Sequence, residues 1–321
     1  MSEPRKHHYL PQFYLRGFSA NGRSIFQIEK QGGRTYLSSI RDTAAIRDYH
    51  ELDTEEAKDP TVIEKRLAQV EAQLAEALAR AIKCGVTTAE THNLLIQLVA
   101  LLRVQVPAFK AGIEGYLQSA VRSIGLMMER KGELPPPPKG FEDVLRMENL
   151  SITISNWKLL EFMFRIAADR RLFDILVAMR PTILRAPRET FFLTCDQPVV
   201  IFHPTASPTD ACGVGFAHAD TEVSVPLSSG VLLLLSWGTE SAGDRDARAS
   251  EVVEFNRRTV VMADSLVFAP AASELAVETT RRYAHCSAGM TLDFLDAGSE
   301  ALHVSRFRPV MRPDRYSAPP N

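Results

Sequence analysis

Cysteine is scarce in this chain and never closely paired: Cys84, Cys195, Cys212 and Cys286 are the only four, and none forms a C-x-x-C unit. That spacing speaks against a structural zinc site and suits a reducing compartment. Neither sign of charge dominates, with a formal net charge of -2 and a pI near 6.5. Such a balance supplies no overall field to draw in nucleic acid, so a polyanion would need a local basic patch. Long apolar runs are missing too. The most apolar stretch, "GVLLLLSW" at 230–237, is far too short to cross a bilayer. The opening "MSEPRKHHYLPQ" lacks the apolar segment of a secretory signal. A cytoplasmic protein with no membrane partner is expected. Also absent are G-x-S-x-G, a Walker loop, G-x-G-x-x-G and the kinase signature set, which removes the commonest nucleophile-elbow and nucleotide-cradling chemistries.

What is present is ordinary globular composition, 45% hydrophobic and 24% charged over 321 residues. Alternation at Ile25, Gln27 and Glu29, the Gly32-Gly33 pair and the stretch Thr35 to Leu37 predict a hairpin. Asp59 and Pro60 then open a helix whose apolar positions run from Ile63 to Ile82, and Gly85 closes it. Thr87 and Glu90 form the capping box of a second helix. That helix is apolar nearly all round from Leu94 to Leu102, so it should be buried and break at Pro107. "PPPP" at 135–138 is a stiff polyproline connection. Helical pattern resumes in "FEDVLRMENL" and in "SNWKLLEFMFRIAADRRLFDILVAM", ending at Pro181. From about residue 190 the pattern changes to strands, in "TFFLTCDQPVVIF", "EVSVPLSSGVLLLLSW" and "DSLVFAP". Helices "RASEVVEFNRRTVVMA" and "ASELAVETTRRYA" flank the last of these. The expected fold is α+β in a single domain, residues 1–321. It has an N-terminal hairpin, long central helices over about 59–185, and a C-terminal mixed or antiparallel sheet with helices over about 190–310. The hairpin is expected to join that late sheet.

The opening stretch "HHYLPQFYLRGF" at 7–18 is the most distinctive in the chain. Pro11 starts a helical turn and Gly17 ends it, so Gln12 and Arg16 share a face and His8 precedes the positive end of the turn. A His, a Gln and an Arg there can hold an anion. Equally, Tyr9, Leu10, Phe13 and Phe18 can dock the N-terminus while the polar groups satisfy nearby backbone.

The same stretch resembles the start of an uncharacterised bacterial family, a domain of unknown function opening with His-Tyr-(Val/Leu)-Pro-(Gln/Arg)-Phe-Tyr-Leu-(Arg/Lys)-x-Phe. Further segments match in order: "RDYH" at 47–50, the helix carrying Glu64 and Glu71, "FFLTCDQPVV", "VPLSSGVLLLL" and Asn256. The resemblance spans roughly residues 6–270. One departure is visible, since the family tends toward Arg-x-Pro in the second helix and here Gln105 holds the nearer place, with Arg103 four before Pro107. The resemblance implies a shared fold and names no reaction or cofactor.

Two further residues carry chemistry. Asp196, in "TCDQP", ends an apolar strand, where it can cap turn backbone or serve as a general base or metal ligand. Arg103 closes an apolar buried segment, where it needs a carboxylate, Asp196 or Glu64 being candidates, or an anionic ligand. His203, Asp210, Cys212, His218 and Asp220 fall in a Gly/Pro-rich stretch whose spacings match no metal motif, so a loop and no metal are expected there. "RRLFD" and "NRR" look like ordinary basic helix patches.

A site would therefore combine His8 and Asp196 as proton-moving groups with Gln12, Arg16 and Arg103 as anion-binding ones. Those residue types suit a hydrolase acting on a phosphate-bearing substrate, a small molecule or a nucleic acid. The alternatives are a non-catalytic ligand- or protein-binding module, and a closed structural network.

Overall fold

The computed structural model describes residues 6–51, 62–141, 144–207, 215–238, 243–296 and 301–316. The chain begins with β1 (Lys6–His8), α1 (Gln12–Arg16), β2 (Ser24–Glu29), β3 (Thr35–Ser39) and β4 (Ala45–Arg47). Helices follow: α2 (Val62–Cys84), α3 (Ala89–Val104), α4 (Pro107–Lys131), α5 (Asn156–Ala167) and α6 (Arg170–Ala178). Strands then dominate, with β5 (Arg180–Arg185), β6 (Thr194–Cys195), β7 (Val200–Phe202), β8 (Glu222–Ser228), β9 (Val231–Ser236) and β10 (Gly243–Asp246). The remainder is α7 (Ala249–Met262), β11 (Leu266–Ala269), α8 (Glu274–Arg282), β12 (Gly289–Asp296) and β13 (Ala301–Arg308). The fold is α+β.

The larger sheet has the order β10-β5-β9-β8-β7, antiparallel except for the β10–β5 pair. Its centre explains the run "GVLLLLSW". Side chains alternate across a strand, and both faces of β9 are covered. Val231, Leu233 and Leu235 join the core beneath the helical layer, whereas Leu232 packs with Leu184, Val252 and Phe255 of α7 on the other face. A strand buried on both faces has no place for a polar residue. The second sheet, β3-β2-β11-β6, is antiparallel and joins chain regions far apart in sequence. Gly32 and Gly33, at φ +83° and +65°, make the β2–β3 turn, a region that glycine enters at no steric cost.

The helical layer follows its sequence signals closely but not everywhere. Pro107 is the first residue of α4, and α3 and α4 meet at a bend of 63°. Gly85, at φ +73°, ends α2 as expected; its N-terminal signal at Asp59 and Pro60 lies outside the described residues. The cap of α3 is Thr88, whose hydroxyl accepts from the Thr91 N–H, one residue on from the expected Thr87. "FEDVLRMENL" is not a helix: among its described residues only a 3-10 turn, Met147–Asn149, forms. The long segment before Pro181 is two helices, because the Asp169 carboxylate caps the N–H groups of Arg171 and Leu172 and restarts the helix. Pro181 itself lies within β5. The arginines of "NRR" are no surface patch either. Arg257 and Arg258 are buried and share Glu254, and Arg258 also reaches Glu222 at 2.5 Å.

Asn256 shows how a side chain can act as backbone. Its Nδ2 donates to the Phe191 carbonyl and its Oδ1 accepts from the Leu193 N–H, both at 2.8 Å. The pair fastens α7 to the segment leading into β6. Asn256→Ala should cost about 2 kcal/mol, two backbone groups losing their partners. Urea unfolding reads this directly, and an unchanged midpoint would show water replacing both bonds. Among the described residues no single helix is long and apolar enough to cross a membrane.

Candidate functional site

The opening motif is built into the fold by its aromatic residues. Tyr14 is fully buried, and its hydroxyl meets Thr194 Oγ1 at 2.7 Å and the Pro226 carbonyl at 2.9 Å. That contact fixes α1 against both sheets, through β6 and β8. The helix sits so close that a Cβ on Gly17 would stand 2.9 Å from the Leu227 carbonyl oxygen. "RDYH" docks beside it: the His50 N–H donates to His7 Nδ1 at 2.9 Å, and the two imidazoles stack. Tyr49 meets Tyr9 edge-on and donates to the Gln105 carbonyl. The two landmarks are thus one interlocked unit.

The polar members of the motif lie elsewhere. His8 is half-buried, pairs with Ala45 across the β1–β4 ladder, and has Nε2 3.1 Å from the Arg41 carbonyl. Gln12 is half-buried and Arg16 exposed on α1. None of the three lines the cavities that hold Arg103 and Asp196.

Asp196 follows directly on β6 and is buried. Its carboxylate accepts the backbone N–H groups of Asp264, Ser265 and Leu266 at 2.7–2.9 Å. The turn it caps is therefore not its own but the one entering β11. Burial pushes the Asp196 carboxyl up to about 6, against the pull of those three N–H donors.

Arg103 occupies the last turn of α3, where α4 departs. Its guanidinium carbon lies 4.6 Å from the ring centre of Phe307, 5.0 Å from Phe216 and 5.6 Å from Phe109. These aromatic faces are its only described partners: neither Asp196 nor any other described carboxylate pairs with it. The Glu64 side chain lies outside the described residues. Burial draws the guanidinium down to about 10, so it remains charged at neutral pH. It opens on a cavity of about 460 Å³. A second cavity of about 390 Å³, bordered by Asp196 and Tyr9, shares with the first the wall formed by Pro107, Ala108, Gln197 and Asp264. Arg103 and Asp196 are thus brought to neighbouring hollows, near the break between α3 and α4.

Tyr9 and the three phenylalanines were not singled out as site residues by the sequence. Tyr9 could have been, since alternation along β1 puts His7 and Tyr9 on one side and His8 on the other. Burial and the nearby Asp196 hold its phenol well above the usual range, so it is a neutral donor. Phe216 and Phe307 carry no such signal. They reach Arg103 from the loop before β8 and from β13.

What these elements define is an α+β protein with a cationic, phenylalanine-lined hollow beside a buried carboxylate. The chain belongs to the family described as protein of unknown function DUF4238, which matches residues 6–273. No curated protein and no solved structure matches it.

Proposed function

We propose that this protein binds a small anionic molecule with an apolar body, the anionic group on Arg103 and the body among Phe109, Met290 and Phe307. One observation carries the reading. A guanidinium has five N–H donors, and aromatic faces offer them no acceptor in their plane, so this half-buried charge lacks hydrogen-bonded compensation among the described residues. Gln197 and Asp264 stand in the same wall and can take a hydroxyl or amine of the ligand. A cytoplasmic setting in a bacterium, with the free thiols of Cys84, Cys195 and Cys286, is part of this proposal.

Hydrolysis of a phosphate-bearing substrate is the second reading. The Asp196 carboxyl at about 6 favours it, being in the range of a general base. Against it, three backbone N–H groups already occupy that carboxylate, and His8, Gln12 and Arg16 border neither hollow.

Arg103→Met distinguishes a binding residue from a structural one. A methionine keeps the contact with the three rings and removes an uncompensated half-buried charge, so the variant should be at least as stable as the wild type. Phenyl phosphate should raise the melting temperature of the wild type and leave that of Arg103→Met unmoved. A destabilised variant, together with no response of the wild type to phenyl phosphate or benzoate, would make Arg103 a structural residue.

A further inference from the structure

A second group of ligand-bearing side chains lies outside the Arg103 hollow, in part on the turn that also sends Phe216 to Arg103. His203 leaves the end of β7 and is buried, whereas His218 and Asp220 project from the exposed turn that enters β8. One ligand atom from each lies within 4.8 Å of those of the other two, the only such group among the described residues. His203 Nε2 and His218 Nδ1 stand 2.8 Å apart with the rings nearly perpendicular, at 77°. Two imidazole nitrogens this close cannot both carry a proton, so one lone pair already points at the other ring.

We propose that His203, His218 and Asp220 bind a divalent ion of the zinc class. An ion at the usual zinc distances holds its ligand atoms about 3.3–3.6 Å from one another. From 2.8 Å the two nitrogens must part by about 0.5–0.8 Å and the carboxylate close in, movements that exposed His218 and Asp220 can make. Two imidazoles and a carboxylate match zinc, and other late first-row divalent ions, better than calcium or magnesium, which prefer oxygen.

The supports behind these side chains are in place. The His203 backbone N–H donates to the Val310 carbonyl at 3.0 Å, and Thr205 Oγ1 lies 3.4 Å from the ring nitrogen His203 Nδ1. That hydroxyl is placed to accept from Nδ1, which turns the Nε2 lone pair toward His218 and the proposed ion, the arrangement expected behind a metal-bound histidine. The turn bearing the other ligands is tied by the Thr221 N–H to the His218 carbonyl at 2.9 Å and by the Thr221 hydroxyl to Gly215. Trp237 Nε1 also donates to the Phe216 carbonyl at 2.8 Å. Asp220 borders a hollow of about 550 Å³, so a fourth coordination position would face open space. Three protein ligands and one open position is the zinc arrangement that binds water or substrate.

The test is metal uptake by the full chain after chelator treatment, with zinc measured by calorimetry and cobalt by visible absorption. Wild type should take up one ion per chain, and cobalt should give the strong visible bands of a four-coordinate site. His218→Asn, exposed and so harmless to folding, should weaken uptake on the order of a hundredfold, and Asp220→Asn at least tenfold, given that even supporting residues cost about 10–100-fold. Thermal melts confirm that both variants fold. Absence of saturable one-to-one uptake overturns the proposal. So does uptake that His218→Asn leaves unchanged, including a thiolate-to-cobalt charge-transfer band, which would place the ion on cysteine.

Discussion

Tyr14→Ala should cost about 4 kcal/mol or more, enough to leave much of a marginally stable protein unfolded. Two separable losses add here. The ring is fully buried and packs on Phe18 at 5.3 Å between centroids, so its removal leaves a cavity of the kind that makes aromatic truncations expensive. The hydroxyl joins Thr194 to the Pro226 carbonyl, and without it a buried acceptor loses its donor. Tyr14→Phe isolates the second loss, at about 1–2 kcal/mol. Chemical denaturation of the three proteins gives both numbers. A Tyr14→Phe variant as unstable as Tyr14→Ala would mean that the hydrogen bonds, and not the packing, dominate. A Tyr14→Ala variant within about 1 kcal/mol of wild type would remove α1 from any structural role.

Asp196→Ala should cost about 3 kcal/mol at neutral pH, since three N–H groups lose a charged acceptor and two of them border solvent that can partly replace it. The cost should also depend on pH. The folded carboxyl holds its proton up to about 6, against 3.8 for an ordinary aspartate. Between those values the folded state binds more protons than the unfolded one. The contribution is therefore fully present below the unfolded value and is lost as pH rises through the folded one. The difference in stability between wild type and Asp196→Ala should widen by about 2 kcal/mol on going from pH 7 to pH 4. Urea melts at the two pH values measure it. A difference that stays constant would mean that the three N–H bonds cancel the effect of burial.

Much of the fold was legible in the sequence because its signals are local. Ile25 to Leu37 with Gly32-Gly33 specifies a hairpin by alternation and turn chemistry alone, and Leu94 to Leu102 announces its own burial. Elements whose residues offer no local signal escaped. β10 is Gly-Asp-Arg-Asp, a polar edge strand whose place is set by pairing with β5 and not by propensity. β12 does carry a local signal, the alternation Met290, Leu292, Phe294. The candidate site divides the same way. Arg103 stood out because a charge in an apolar stretch demands a partner. That the partners are phenylalanines from 113 and 204 residues further along, at Phe216 and Phe307, no local pattern could say. Asp196 was legible as a cap, but not the turn it caps.

The pairing of β2 with β11 sets the order in which this protein can assemble. Glu29 faces Leu266 in that ladder, so 236 residues are synthesised between the two partners. At bacterial or eukaryotic elongation rates the gap lasts roughly 12–50 s. Through that interval the early hairpin has an open edge, and Asp196, once made, has no turn to cap. The segment around 264–269 therefore acts as a latch on two earlier parts of the chain. A ribosome-bound fragment ending before it should remain susceptible to proteases, and protection should appear abruptly once that segment has left the exit tunnel.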